Sequence, residues 1–135
     1  MRRLLAIICI PLCALALSAC GTTTSTAGFE GEQHAVAQTI ANLQADATAG
    51  EQKKICADDL AASVVTRLGG VNGCEAAIKK QLAEVDSLEV SVQSVHMAAG
   101  DTSATADVRS IYEGKTRPST LALVKEGGKW KLTGL

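Results

Sequence analysis

Leu88-Glu89-Val90-Ser91-Val92-Gln93-Ser94-Val95-His96-Met97 is the stretch whose reading decides the fold. Its apolar side chains recur at every second position, the period of a strand with one buried face. The phase breaks once. Leu88, Val90 and Val92 share one phase and Val95 and Met97 take the other, so a bulge is expected near Gln93 or Ser94, and with it a curved sheet.

Toward the C-terminus the same period continues. Ala104, Ala106 and Val108 begin a second strand with Asp107 and Arg109 on its other face. Thr120, Ala122 and Val124 alternate with Leu121 and Leu123 in a third, expected to be buried on both faces. Trp130 and Leu132 mark the inner face of a fourth, flanked by Lys129 and Lys131. The connections Ala99-Gly100-Asp101, Glu113-Gly114-Lys115 and Glu126-Gly127-Gly128 are hairpin turns by composition.

Toward the N-terminus the period becomes 3.6. Val36, Ile40, Leu43 and Ala47 predict a helix over 32–49 that Gly50 stops. Shorter helices are expected over 51–57 and 59–68, or one bent segment, the second capped by Asp58 and closed by Gly69-Gly70. Asn72 with Glu75 predicts a capping pair for a helix over 73–85, whose inner face is Cys74, Ile78, Leu82 and Val85. Helices first and an antiparallel meander after them make an α+β fold, with N-terminal helices packed on a curved four-stranded antiparallel sheet.

Residues 1–19 read as an export signal. Arg2 and Arg3 precede an apolar run over 4–17, and Leu17-Ser18-Ala19 leads into Cys20. This resembles the lipobox of bacterial lipoproteins. The resemblance implies that the Cys20 thiol carries a diacylglyceryl group, that the chain is cut before it, and that a further acyl chain such as palmitate is added. An uncleaved anchor fits less well, because the run is short and Pro11 interrupts it. A plain secretory signal cut after Ala19 is the other alternative, and the general secretion route is favoured over the twin-arginine one. Each buried acyl CH₂ contributes about 0.8 kcal/mol, so two or more chains hold the protein on the extracytoplasmic side of a membrane. Residues 20–31 then comprise the lipidated cysteine and a flexible tether, of which Gly21-Thr22-Thr23-Thr24-Ser25-Thr26-Ala27-Gly28 has nothing to bury. A single domain follows over 32–135.

The signal holds two of the thirteen basic residues and none of the fourteen acidic ones, leaving a mature charge of −3. Residues 109–135 hold six of the basic residues against Glu113 and Glu126, a pattern that fits a solvated strand surface first, or else a face leaning on anionic headgroups or an acidic partner. Phe29, Tyr112 and Trp130 are the only aromatics, which argues against nucleic acid as a partner. Cys9 and Cys13 leave with the signal and Cys20 is acylated. Cys56 and Cys74 remain in an oxidising compartment, and one disulfide is expected. Two cysteines without histidines at ligand spacing make no zinc site, so neither metal nor cofactor is expected.

Taken together, the helix ending at Gly50, the Cys56 and Cys74 pair, the Gly73-Cys74-Glu75-Ala76-Ala77 helix start and the closing Gly128-Lys129-Trp130-Lys131-Leu132 strand resemble the nuclear transport factor 2-like superfamily, in particular its small exported bacterial lipoproteins. The resemblance implies a cone in which the sheet wraps the first helix and leaves a cavity at its open end, with Trp130 and Leu132 lining or closing its floor. Ketosteroid isomerases and polyketide cyclases of that superfamily use the cavity for proton transfer, whereas many other members only bind ligands or proteins.

Catalytic candidates are few. Tyr112 continues the inward phase of Val108 and Ser110, which makes Tyr112 and Ser110 cavity-lining candidates beside Trp130 and Leu132. His96 and Asp107 fall on the outer face, His34 lies opposite Val36 and Ile40, and Ser63 and Ser110 lack a base. Asp58-Asp59 reads as a helix cap. With no phosphate loop, nucleophile elbow or ligand cluster, a non-enzymatic domain binding a small apolar ligand or an envelope protein is expected. A small cavity enzyme and an accessory subunit of an envelope complex are the alternatives.

Overall fold

Helix α1 (Gly31–Ala49) buries a stripe of Val36, Ala37, Ile40 and Gln44. It stops at Gly50, whose φ of 69° lets the N–H groups of Gly50 and Glu51 return to the carbonyls of Ala47 and Asp46. The computed structural model describes residues 24–85 and 88–134. The expected signal over 1–19 and the lipidation candidate Cys20 lie outside the described residues.

A short helical turn, α2 (Gln52–Lys54), runs directly into a π-helical turn over Ile55–Asp59. The chain then extends through Leu60, which bridges in parallel to Leu132, while the Ala61 N–H donates to the Leu132 carbonyl at 2.8 Å. Helix α3 (Ala62–Arg67) follows. Asp58 does not cap it. Its first-turn Ala62 N–H is taken instead by the Glu126 carboxylate, 3.1 Å away from a distant strand. Helix α4 (Gly70–Ala83) begins three residues before the predicted position, because Gly69 and Gly70, with φ of 94° and 79°, reverse the chain without a linker. Asn72 and Glu75 therefore lie inside the helix rather than forming a capping pair.

Strands β1 (Glu89–Met97), β2 (Ser103–Tyr112), β3 (Lys115–Glu126) and β4 (Lys129–Leu132) form an antiparallel sheet in the order β1-β2-β3-β4. The bulge lies where it was expected. Val92 pairs with Val108 and Ser94 with Asp107, leaving Gln93 as the extra residue. Its effect is to return Val95 and Met97 to the face of Val90 and Val92, and that face packs against α1 and the rest of the core. Ala104, Ala106, Val108, Leu123, Trp130 and Leu132 complete the inner surface. The observed architecture is thus the expected α+β one, helices on a curved four-stranded sheet.

β3 departs from expectation. Only Leu123 is fully buried, and Thr120 and Ala122 are exposed. The cause is the short β4, which pairs only with Leu123–Glu126, so the first part of β3 projects beyond the core and its outer face has no covering layer among the described residues. Lys115, Arg117 and Pro118 sit on this open edge, where charge and a missing N–H oppose pairing with another chain.

Cys56, in the π-helical turn, is bonded to Cys74 on α4, with Cα atoms 6.1 Å apart. Both are buried. Replacing either by Ser should lower stability by roughly 2–5 kcal/mol, measured by denaturant titration against the oxidised wild type. Gly73 is constrained differently: a Cβ there would overlap the Leu68 carbonyl, which is backbone and cannot swing away. Gly73→Ala should therefore cost on the order of 1–3 kcal/mol despite the better helix propensity of Ala, whereas Gly134→Ala, with open space around it, should change nothing measurable in the same titration.

Candidate functional site

Three places bring chemically capable side chains together. The first begins at the N-terminus of α1, where Glu32 accepts from the Trp130 indole N–H at 2.7 Å and from Lys125 Nζ at 2.8 Å. Lys125 stands 5.8 Å from the Trp130 ring centroid. The hydrogen bond from Lys125, and then that from Trp130, holds the Glu32 carboxyl below its usual range. Trp130 is thereby fixed as one wall of a groove of about 630 Å³, whose other walls include His34, Asn42 and Asp46 of α1 and Asp58 and Asp59 of the π-helical turn.

Asp59 is the unusual group in this groove. It is buried, 3% exposed, and its Oδ2 has no hydrogen-bond partner. Burial, then the charges of Asp46 and Asp58, push its carboxyl up to about 7, and a hydrogen bond with Asp46 favours the protonated form against the opposing charge of Lys131. Lys131 itself donates to the Ala57 carbonyl at 2.6 Å, and Lys54 lies 3.6 Å from Asp46. A carboxyl that titrates near neutrality beside a carboxylate is competent to exchange a proton. Its free oxygen, however, is sealed from solvent.

The second place is on the outer sheet face. The Ser94 hydroxyl donates to Asp107 Oδ2 at 2.8 Å, the Thr120 hydroxyl donates to Asp107 Oδ1 at 2.8 Å, and His96 Nε2 lies 3.3 Å from Asp107 and 3.1 Å from Ser94. The residue types are those of a nucleophilic triad, but the arrangement is not one. Both partners meet the same ring nitrogen, so the acid cannot orient the imidazole toward the hydroxyl. The hydrogen bonds from Ser94 and then Thr120 hold Asp107 below the usual carboxylate range. This is a cross-strand polar cluster on a solvated surface, on the face where the sequence placed His96 and Asp107.

The third is an apolar recess of about 160 Å³ between the C-terminal half of α1, α4 and the residue preceding β1, lined by Leu43, Ile55, Ile78, Leu82, Val85 and Leu88. A second recess of about 320 Å³ adjoins it, sharing Leu82, Val85 and Leu88.

The four cavity-lining candidates do not converge. Leu132 is sealed in the core and Trp130 lines the groove. Ser110 and Tyr112 keep the inward phase but lie where the β2–β3 hairpin outruns the helices, and their hydroxyls donate to the carbonyls of Arg117 at 3.3 Å and Glu84 at 3.2 Å. His34 lines the edge of the groove. Asp59 was missed because Asp58-Asp59 reads as a helix cap, which leaves a carboxylate in solvent. The signal that points to it is its spacing, four residues after the buried Ile55 and three after the buried Cys56.

No family model matches this chain, and no curated protein does. Among solved structures, a candidate NTF2-like transpeptidase from Campylobacter jejuni is similar with a TM-score of 0.48 and 13% identity, covering 73% of this chain and 96% of its own. A designed NTF2 protein is similar with a TM-score of 0.46 and 17% identity over 71% of this chain and 92% of its own. A de novo designed protein with a curved β-sheet aligns with a TM-score of 0.35 and 18% identity over 48% of this chain and 64% of its own.

Asp59 gives the domain a defined pH dependence. Between the unfolded carboxyl value of 3.8 and the folded value of about 7, the native state holds a proton that the unfolded chain has released, so stability falls as pH rises through that window. The loss by pH 8 should be on the order of 4 kcal/mol. Asp59→Asn, which keeps the shape without the charge, should flatten the dependence and exceed wild type in stability at pH 8. Parallel denaturant titrations at pH 4.5 and 8 check this, and an unchanged pH slope in the variant would refute the assignment.

Proposed function

We propose that this chain is an exported lipoprotein, held by acyl chains on Cys20 at the extracytoplasmic face of a membrane, whose α+β domain binds a small apolar ligand without catalysing a reaction on it. The observation that carries the anchoring is Leu17-Ser18-Ala19-Cys20 placed directly behind a basic start and an apolar run. The buried Cys56–Cys74 disulfide agrees with it, because such bridges persist in oxidising compartments. Ligand binding is supported by the recess between α1 and α4, in which Gln81 is the one polar lining residue among those described.

Asp59 favours a second reading, a small acid–base enzyme, since its carboxyl titrates near neutrality on the wall of a groove. Two facts weigh against it. The free oxygen of Asp59 is inaccessible, and the Tyr112 hydroxyl that could polarise a substrate carbonyl is committed to Glu84.

Intact mass spectrometry of membrane-extracted protein should give a chain that starts at an acylated Cys20 and gains the two hydrogens of one disulfide on reduction. An uncleaved or unacylated chain would remove the anchoring claim. For the ligand site, N-phenyl-1-naphthylamine should fluoresce on binding purified protein, and Leu82→Gln should weaken that binding several-fold while Asp59→Asn leaves it intact. Turnover of a cyclic ketone that disappears in Asp59→Asn would instead establish the enzyme.

A further inference from the structure

The chain just before α1 is not a free tether in the described structure. Thr24 is only 7% exposed, and its hydroxyl lies within hydrogen-bonding reach of the Gln44 side-chain oxygen and of the Val90 carbonyl, the latter at 2.9 Å. The Val90 N–H donates to the same Gln44 oxygen at 3.2 Å, so α1, β1 and the pre-helical segment meet at one point. Phe29 packs against the core, and Gly28 turns the chain at φ 91°. Gln44 stands thirteen residues beyond Gly31, about 20 Å along the helix axis. The segment 24–30 therefore runs back along α1, from its N-terminus to its C-terminal half.

This return decides which end of the sheet is nearest Cys20. Val90 belongs to the end where β1 starts, β2 finishes and β3 begins. The other end carries the β3–β4 turn with Lys129 and the N-terminus of α1 with Glu32. The twelve residues of β3 separate the two ends by about 36 Å. Four residue steps connect Thr24 to Cys20, at most about 14 Å of chain. Beside the Thr24 seat, Ser25, Glu89, Arg109 and Ile111 line a shallow recess. Ile111 is a large hydrophobic side chain left 40% exposed, and Lys115 and Arg117 follow it across the hairpin.

We propose that the end of the domain carrying Arg109, Ile111, Lys115 and Arg117 lies on the bilayer, with these cations on anionic phospholipid headgroups and Ile111 at the interface, while the Lys129 end and the Trp130 groove face away from it. The inference rests on acylation of Cys20. The Thr24 seat acts as the orienting clamp: without it the anchor would hang from the N-terminus of α1, at the opposite end. Glu89 and Glu113 share the near end and limit how strongly it attracts headgroups, so the short covalent reach rather than charge alone sets the orientation.

The test is lysine acetylation of the full lipidated protein on phosphatidylethanolamine–phosphatidylglycerol vesicles, read by mass spectrometry and compared with soluble Cys20→Ser protein. Lys115 should react several-fold more slowly on vesicles and Lys129 at an unchanged rate. Thr24→Val, acylated and vesicle-bound, should restore Lys115. Equal reactivity of the two lysines, preferential protection of Lys129, or full protection of Lys115 in Thr24→Val overturns the inference while leaving the anchor intact. A chain without acyl groups on Cys20 overturns the lipoprotein reading, and this inference with it.

Discussion

One extra residue in one strand governs the shape of this domain. Were Gln93 paired in a regular ladder instead of bulged out, Val95 and Met97 would point away from Val90 and Val92, and half of β1 would turn its apolar side chains to water. The bulge keeps all four on the inner face and bends the strand, which lets the sheet follow α1. Gln33 and Thr39 on that helix then reach the carbonyls of Val95 and Trp130, at opposite edges of the sheet. The small side chains Ala104 and Ala106 occupy the inner face of β2 between them. Curvature and close helix packing thus share one cause.

The helical layer depends on a second constraint, the bridge between Leu60 and Leu132. It places the π-helical turn beside β4, and the turn in turn presents Cys56 to Cys74 and buries Asp59. Three kinds of interaction therefore hold one short segment: a backbone hydrogen bond from Ala61, a covalent bond from Cys56 and a remote carboxylate from Glu126 at the start of α3. The raised titration of Asp59 follows from the same constraint. The segment is held by these contacts with the carboxyl out of water, which pushes its titration up to about 7.

Much of this was legible from periodicity. The helix stop at Gly50, the bulge near Gln93, the three hairpin turns and the inner faces of the strands follow from local rules that act within a few residues. What escaped was set by distant partners. Ser110 and Tyr112 have the correct phase for a cavity, but phase states which face a side chain takes and not whether anything covers that face. Asp58 looked like a cap because its neighbours are helical, yet α3 is capped by Glu126, far along the chain. Thr24 sits in a run of small polar residues that reads as linker, and only the meeting of Gln44 with Val90 makes a seat for it. Asp59 has the spacing of an inward residue, four after Ile55, but a carboxylate is expected at the surface, and only the segment fixed beside β4 buries it.

The pairing of Leu60 with Leu132 also sets an order of events. Leu132 is completely buried on the last strand of the sheet, while its partners Leu60 and Ala61, just after the π-helical turn, come from the first half of the domain. A core closed by its last strand cannot assemble while that strand is still being delivered, because the loop between the pairing segments spans most of the domain and its entropy must be spent before the contact forms. The contact between Leu60 and Leu132 is thus one of the slowest in the fold to close.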